Sequence, residues 1–353
     1  MPLTPIDNLR GCPVLVTGAG GFIGSHLVEG LLQAGANVRA LVHYNSRQDI
    51  GCLRHVVEKI ERPESLISGT LDVIFGDLND VKALETNMAE CKYVFHLAAL
   101  IGIPYSFTTP AAYFETNVRG TLNILDAART TRPNRVMITS TSETYGTAQF
   151  TPISERHPVN AQSPYAASKV AADQLALSYF AAYHTPVVIV RPFNTYGPRQ
   201  SSRAIIPTII KQALAIEDDS HPQKKLQLGS LDPVRDLTHV KDTARGFILA
   251  SVSEHPEILG SAINLGTGVG VSIGELVERI GELMGIELDV ELDEERVRPH
   301  KSEVWELVAS AEKAARLLGW QPKYSLEEGL KNTIAHLRDQ SKADLTAGTS
   351  YTV

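Results

Sequence analysis

The chain has 353 residues, 43 % hydrophobic and 21 % charged, a mixture that builds one large α/β domain with an added lobe or two modest domains. Its formal net charge of −7 argues against nucleic acid or an anionic membrane as partner. Cys12, Cys52 and Cys91 are far apart, odd in number and without a CxxC pair, so free thiols in a reducing compartment are expected and a metal site is not.

Met1 to Arg10 contains no basic segment leading into an apolar run, so no signal peptide is read there. No stretch of about 18 residues is free of charge and turn formers, so no membrane span is expected. The expectation is a cytoplasmic protein.

Short β-branched runs then alternate with helical stretches. Strands are predicted over 14–17, 37–42, 71–75, 92–97, 135–139 and 187–191, and helices over 22–34, 52–60, 110–129 and 164–184. This alternation implies a doubly wound, mostly parallel sheet. After Arg191, Gly, Pro and charged residues become frequent and elements shorten. A strand is expected at 225–228 and helices near 204–215, 273–284 and 325–338. Residues 1–191 are therefore read as the large domain. A smaller α/β lobe takes most of 192–338, with 231–262 returning to the large domain. The polar stretch 340–353 lacks periodicity and is expected to be disordered.

Strand Val14 to Thr17 runs into Gly18-Ala19-Gly20-Gly21-Phe22-Ile23-Gly24 and a helix. A dinucleotide pyrophosphate seats on the N–H groups of a helix N-terminus, which requires close backbone approach. Gly18 suits the tight turn, Gly21 the approach and Gly24 the packing of helix on strand, with Phe22 and Ile23 offering their N–H groups. Later, Tyr165 and Lys169 stand four apart, on one face of the predicted helix. A phenol is a poor base at neutral pH, and a nearby ammonium favours the phenolate.

The GxxGxxG turn and the YxxxK of Ser163 to Lys169 resemble the extended short-chain dehydrogenase/reductase family of nucleotide-sugar epimerases and dehydratases. The resemblance runs from about Pro13 to Leu337 and implies a Rossmann-type sheet, bound NAD or NADP, a nucleotide-diphosphate-sugar substrate and a homodimer. It places Asp77 and Leu78 at the adenine, and Leu97, Ala98 and Ala99 beside the nicotinamide ribose. NAD-binding members usually end the second strand with an acid, whereas this chain has Val42-His43-Tyr44-Asn45-Ser46-Arg47. His43 or Arg47 facing a 2′-phosphate is one reading, a solvated loop the other, and NAD versus NADP stays open.

Thr141-Ser142-Glu143 occupies the family's third catalytic position, with Thr141 at the hydroxyl that binds the sugar O4. Simple 4-epimerases have no acid here. In 4,6-dehydratases the carboxylate removes the C5 proton once C4 is a ketone. The dTDP-glucose enzymes have Thr-Asp-Glu; Ser142 in place of that Asp is similar to the GDP-mannose dehydratases and leaves the acid for the departing hydroxyl unassigned. Thr-Ser-Glu also occurs in UDP-glucuronate decarboxylases, but their Tyr-Asp-Glu-Gly-Lys differs from Tyr-Ala-Ala-Ser-Lys here, which favours dehydration. A non-catalytic dinucleotide sensor is the reading from another class, and Tyr165 with Lys169 argues against it.

On the substrate side the resemblance implies diphosphate contacts from Asn194, Arg235 and Arg298, since a planar guanidinium suits phosphate. Asn264-Leu265-Gly266-Thr267-Gly268 is read as a strand-turn of the lobe. His43 to Ser46, Ala99 to Ser106 and Arg298 to Val304 are similar to bacterial dehydratases that act on nucleotide-linked N-acetylglucosamine in the legionaminic-acid route.

Overall fold

The computed structural model describes residues 5–218, 225–294 and 304–346. The first half contains β1 (Pro13–Thr17), α1 (Phe22–Gln33), β2 (Asn37–His43), α2 (Arg54–Ile60), β3 (Thr70–Gly76), α3 (Val81–Met88), β4 (Tyr93–His96), α4 (Ile103–Thr108), α5 (Pro110–Tyr113), α6 (Gly120–Thr131), β5 (Arg135–Thr139) and α7 (Pro164–Tyr183). There follow β6 (Val187–Pro192), β7 (Asn194–Tyr196), α8 (Ile205–Glu217), β8 (Leu226–Leu228), β9 (Val234–His239), α9 (Val240–Val252) and β10 (Ser261–Leu265). The last elements are β11 (Gly270–Ser272), α10 (Ile273–Met284), β12 (Val290–Leu292), β13 (Glu306–Leu307), α11 (Glu312–Leu318) and α12 (Leu326–Thr346).

Seven strands form one sheet in the order β10-β6-β5-β4-β1-β2-β3, and each pairing within it is parallel. Val14, Leu15 and Val16 are fully buried, as a parallel strand covered on both faces requires. Leu27 and Leu31 of α1, Phe247 of α9 and Leu317 of α11 cover one face. Leu84 of α3, Ile124 and Leu125 of α6 and Ala176 of α7 cover the other. Chain order reverses between β1 and β4, which leaves a crevice at their carboxyl ends.

The lobe has its own core, built from Ile206, Ile209 and Ile210 of α8, Leu276 and Ile280 of α10, and Leu330 and Ile334 of α12. Helix α10 shows why these residues fold so: Ser272 and Glu275 form a capping box at its start, and Gly285, in the left-handed region, closes it. In a small sheet, β7 and β13 pair in parallel with β9 and β11 pairs antiparallel with it.

Three expectations are corrected. Asn264 to Leu265 lies in β10, an edge strand of the large sheet paired with β6, not in the lobe. The helix expected over 110–129 is broken by a π-turn at Phe114–Arg119. The last helix continues to Thr346 instead of giving way at 340 to a disordered stretch, of which 347–353 lie outside the described residues. The run of polar residues there in the sequence hides the helical period. Within 231–262, β9 stays in the small sheet while α9 packs against α1.

Candidate active site

The glycine turn lies directly on the end of β4. Gly18 has φ +68°, and a Cβ there would stand 2.6 Å from the Ala98 nitrogen and 2.8 Å from the Leu97 carbonyl carbon. A Cβ on Gly24 would stand 2.2 Å from the Gly18 oxygen. Gly21 caps α1 without a side-chain bond, so the N–H groups of Phe22 and Ile23 have no partner within the helix. This bare, positive helix end, with Leu97 and Ala98 against Gly18 ahead of it, fits a dinucleotide pyrophosphate.

A buried relay fixes the turn. The Ala98 N–H donates to Thr17 Oγ1 at 3.2 Å, and the Thr17 hydroxyl meets His96 Nδ1 at 2.8 Å. His96 Nε2 lies 3.2 Å from Thr121 Oγ1, whose own proton goes to the Asn117 carbonyl. With the Thr121 proton so assigned, His96 Nε2 donates to Thr121, and a neutral His96 then accepts from the Thr17 hydroxyl at Nδ1. Burial and the nearby Lys169 lower its pKa to about 3, in keeping with that state.

At the end of β2, His43 is exposed and its Nδ1 stands 3.9 Å from an Asp77 carboxylate oxygen. Register places His43 opposite Gly76, so Asp77 brings from β3 a carboxylate that β2 lacks. Asp77 also accepts from the Asn79 backbone and side chain. Leu78 packs over Gly120, and its carbonyl accepts from Asn123. Arg47 is exposed.

Thr141 caps the short turn Ser142–Tyr145 at the end of β5 by accepting from the Glu143 N–H. Tyr165 and Lys169 are 7 % and 3 % exposed on α7. Burial pushes the Tyr165 phenol well above its ordinary range; the Thr141 hydroxyl, hydrogen-bonded to it, pulls the other way, and the Glu143 carboxylate adds to the rise. Thr141, Glu143 and Tyr165 are therefore brought together. Ser142 is buried. Burial lowers Lys169 to about 8 against the opposing charge of Asp173.

The sequence reading missed several supporting residues. The wide turn at Phe114–Arg119 turns Asn117 inward, where its amide holds both polar atoms of Leu100 and donates to Ser168 Oγ at 2.9 Å. The Tyr113 ring stands edge-on to Tyr165, 6.2 Å between centroids. Beneath the pair, Asp173 binds Ser140 and Arg191, and Arg191 binds Tyr145. One signal was available: Asp173 extends the four-residue spacing of Tyr165 and Lys169.

On the lobe side Asn194 opens β7 opposite Leu237, on the same strand as Arg235. The Asn194 Oδ1 is buried without a hydrogen-bond partner, and Arg235 is 7 % exposed. Asp236, next to Arg235, is structural: its carboxylate accepts from the Thr267, Gly268 and Ala309 N–H groups. Arg298 lies outside the described residues.

A family model described as GDP-mannose 4,6 dehydratase matches residues 15–333. A UDP-glucuronate 4-epimerase of Thermodesulfobacterium geofontis is 31 % identical over 91 % of this chain and 94 % of its own. A dTDP-glucose 4,6-dehydratase of Streptomyces antibioticus is 30 % identical over 92 % of each chain. The solved structure of MoeE5 in complex with UDP-glucuronic acid and NAD superposes with a TM-score of 0.78 at 32 % identity, covering 93 % of this chain and 99 % of that one.

Proposed function

The chain belongs to the extended short-chain dehydrogenase family of NAD(P)-dependent nucleotide-sugar epimerases and dehydratases, and we propose that within it this protein is a nucleotide-diphosphate-hexose 4,6-dehydratase. The observation that carries the finer reading is Glu143, a carboxylate held by the Thr141 turn close enough to Tyr165 to raise its pKa. Proton removal from C5 needs such a base; rotation and re-reduction at C4 do not.

Bound NAD(P), seated by Gly18, Gly21 and Gly24, would supply the hydride acceptor for C4 and the donor for C6. Tyr165 takes the C4 hydroxyl proton while Thr141 hydrogen-bonds that oxygen and favours the phenolate. Glu143 removes the C5 proton and then protonates the hydroxyl leaving C6, serving as base and acid in turn because Ser142 replaces the usual Asp; as hydride returns to C6, C5 takes a proton from solvent and Tyr165 releases its own to solvent. Asn194 and Arg235, with Arg298, take the diphosphate. The sugar proposed is a UDP- or GDP-linked N-acetylglucosamine. The protomers are proposed to pair through the faces of α5 to α7, where Phe114 and Tyr183 are exposed. No helix among the described residues is long and apolar enough to cross a membrane.

A 4-epimerase is the second reading, favoured by relatives that carry that name. Glu143→Gln separates the two. A dehydratase keeps cofactor binding and loses exchange of the C5 proton with solvent deuterium; unchanged exchange or unchanged turnover would overturn the assignment.

A further inference from the structure

Tyr165, Lys169 and Asp173 recur at every fourth residue of α7, so one helix face carries a phenol, an ammonium and a carboxylate in order. Asp173 is 1 % exposed. Its Oδ2 accepts from Ser140 Oγ at 2.8 Å and from Arg191 Nε and Nη2 at 3.2 and 2.9 Å. Its Oδ1 is buried without a hydrogen-bond partner. Arg191 continues from Nη1 to the Tyr145 hydroxyl at 2.9 Å, and that hydroxyl donates to Asn264 Oδ1 at 2.8 Å.

The clamp decides the charge of Asp173. Burial raises its carboxyl above the ordinary range even with Arg191, Ser140 and Lys169 pulling the other way. A guanidinium stays charged at any pH the protein meets, so a neutral Asp173 would leave Arg191 as an unpaired buried cation, the costly arrangement. A proton on Oδ1 would also find no acceptor. The clamp therefore favours the carboxylate form of Asp173.

The groups facing this stretch of α7 are few. His96 approaches from β4 and is neutral, Arg191 from β6 is bound to Asp173, and Tyr113 and Glu143 lie beside Tyr165. Among them Asp173 is the group that favours the charged lysine. We propose that Asp173 is a positioning residue for the catalytic pair: clamped by Arg191 and Ser140 one helical turn beyond Lys169, its carboxylate keeps the Lys169 ammonium charged. The clamp is tied to the reacting site through the chain itself, since Ser140 immediately precedes Thr141. This rests on the reading of Tyr165 and Lys169 as the pair that handles the sugar hydroxyl.

The test is the titration of Lys169 in the cofactor-loaded protein, read by NMR on isotope-labelled lysine side chains and assigned with Lys169→Arg. In Asp173→Asn the amide oxygen still accepts from Ser140 and Arg191, but the charge is gone. The Lys169 midpoint is expected to fall by about one unit or more, leaving about tenfold less ammonium on the alkaline side. The alkaline limb of kcat should move down with it, and KM should stay within about twofold. A purely structural Asp173 changes stability and leaves the titration in place, which overturns the proposal. Should Asp173→Asn fail to fold, the wild-type protein decides: Lys169 charged at neutral pH supports the proposal, and a neutral amine there refutes it. Because the titration needs no substrate, it stands apart from the assignment of the reaction.

Discussion

Gly18→Ala and Gly285→Ala form a matched pair. Both glycines occupy the left-handed region, with φ +68° and +73°, so each alanine carries a similar conformational penalty of about 1–2 kcal/mol. Their surroundings differ. A Cβ at Gly285 meets nothing within 4 Å, whereas at Gly18 it would stand 2.6 Å from the Ala98 nitrogen. That nitrogen is backbone, held at the end of β4 by its bond to Thr17, and cannot swing aside. Overpacking of this kind adds about 1–3 kcal/mol, so Gly18→Ala should lose about 2–5 kcal/mol and Gly285→Ala about 1–2 kcal/mol. Equilibrium urea unfolding of both variants measures the difference, and cofactor released on denaturation gives a second reading. Gly18→Ala should purify with little cofactor and Gly285→Ala with the wild-type amount. Equal destabilisation, or full cofactor content in Gly18→Ala, would refute the close approach of the turn to β4.

Tyr145→Phe removes a hydroxyl bound by Arg191 and donating to Asn264; it should cost about 1–3 kcal/mol in urea unfolding by leaving buried groups unsatisfied, with cofactor still bound. Thr17→Val strips partners from the Ala98 N–H and His96 Nδ1 and should weaken cofactor retention measurably in a dialysis assay. His26 and His96 both have pKa values lowered to about 3 by burial. Below about pH 6.5 the unfolded chain takes up protons that the folded chain refuses, so stability falls as pH drops from there towards about 3, by up to about 1.4 kcal/mol per unit and group. Urea midpoints across that window should fall less steeply in His96→Gln, and an unchanged slope would refute the neutral His96.

The large sheet was legible because its strands are short β-branched runs set between helical stretches, and the glycine turn because its constraint is local. Tyr165 and Lys169 could be paired from helical spacing alone. Tyr165's link to Thr141 needed the resemblance, since 24 residues separate them in sequence. Asn117 was hidden by the wide turn at Phe114–Arg119, whose altered helical period no local pattern announces. The Arg191–Asp173–Ser140 clamp joins three elements, and nothing in the sequence near any one of them marks the others. Asn264 was placed in the lobe because a strand followed by Gly-Thr-Gly looks the same in either sheet; only its register with Arg191 of β6 assigns it to the large one.

The central reading is elimination of water through Glu143. Incubating the protein with a panel of UDP-, GDP- and dTDP-hexoses, N-acetylglucosamine forms included, and weighing the products tests it most directly. A product lighter by one water, carrying solvent deuterium at C5 when the reaction runs in deuterium oxide, is the expected result. Unchanged mass with a new stereoisomer, or loss of carbon dioxide, would contradict it.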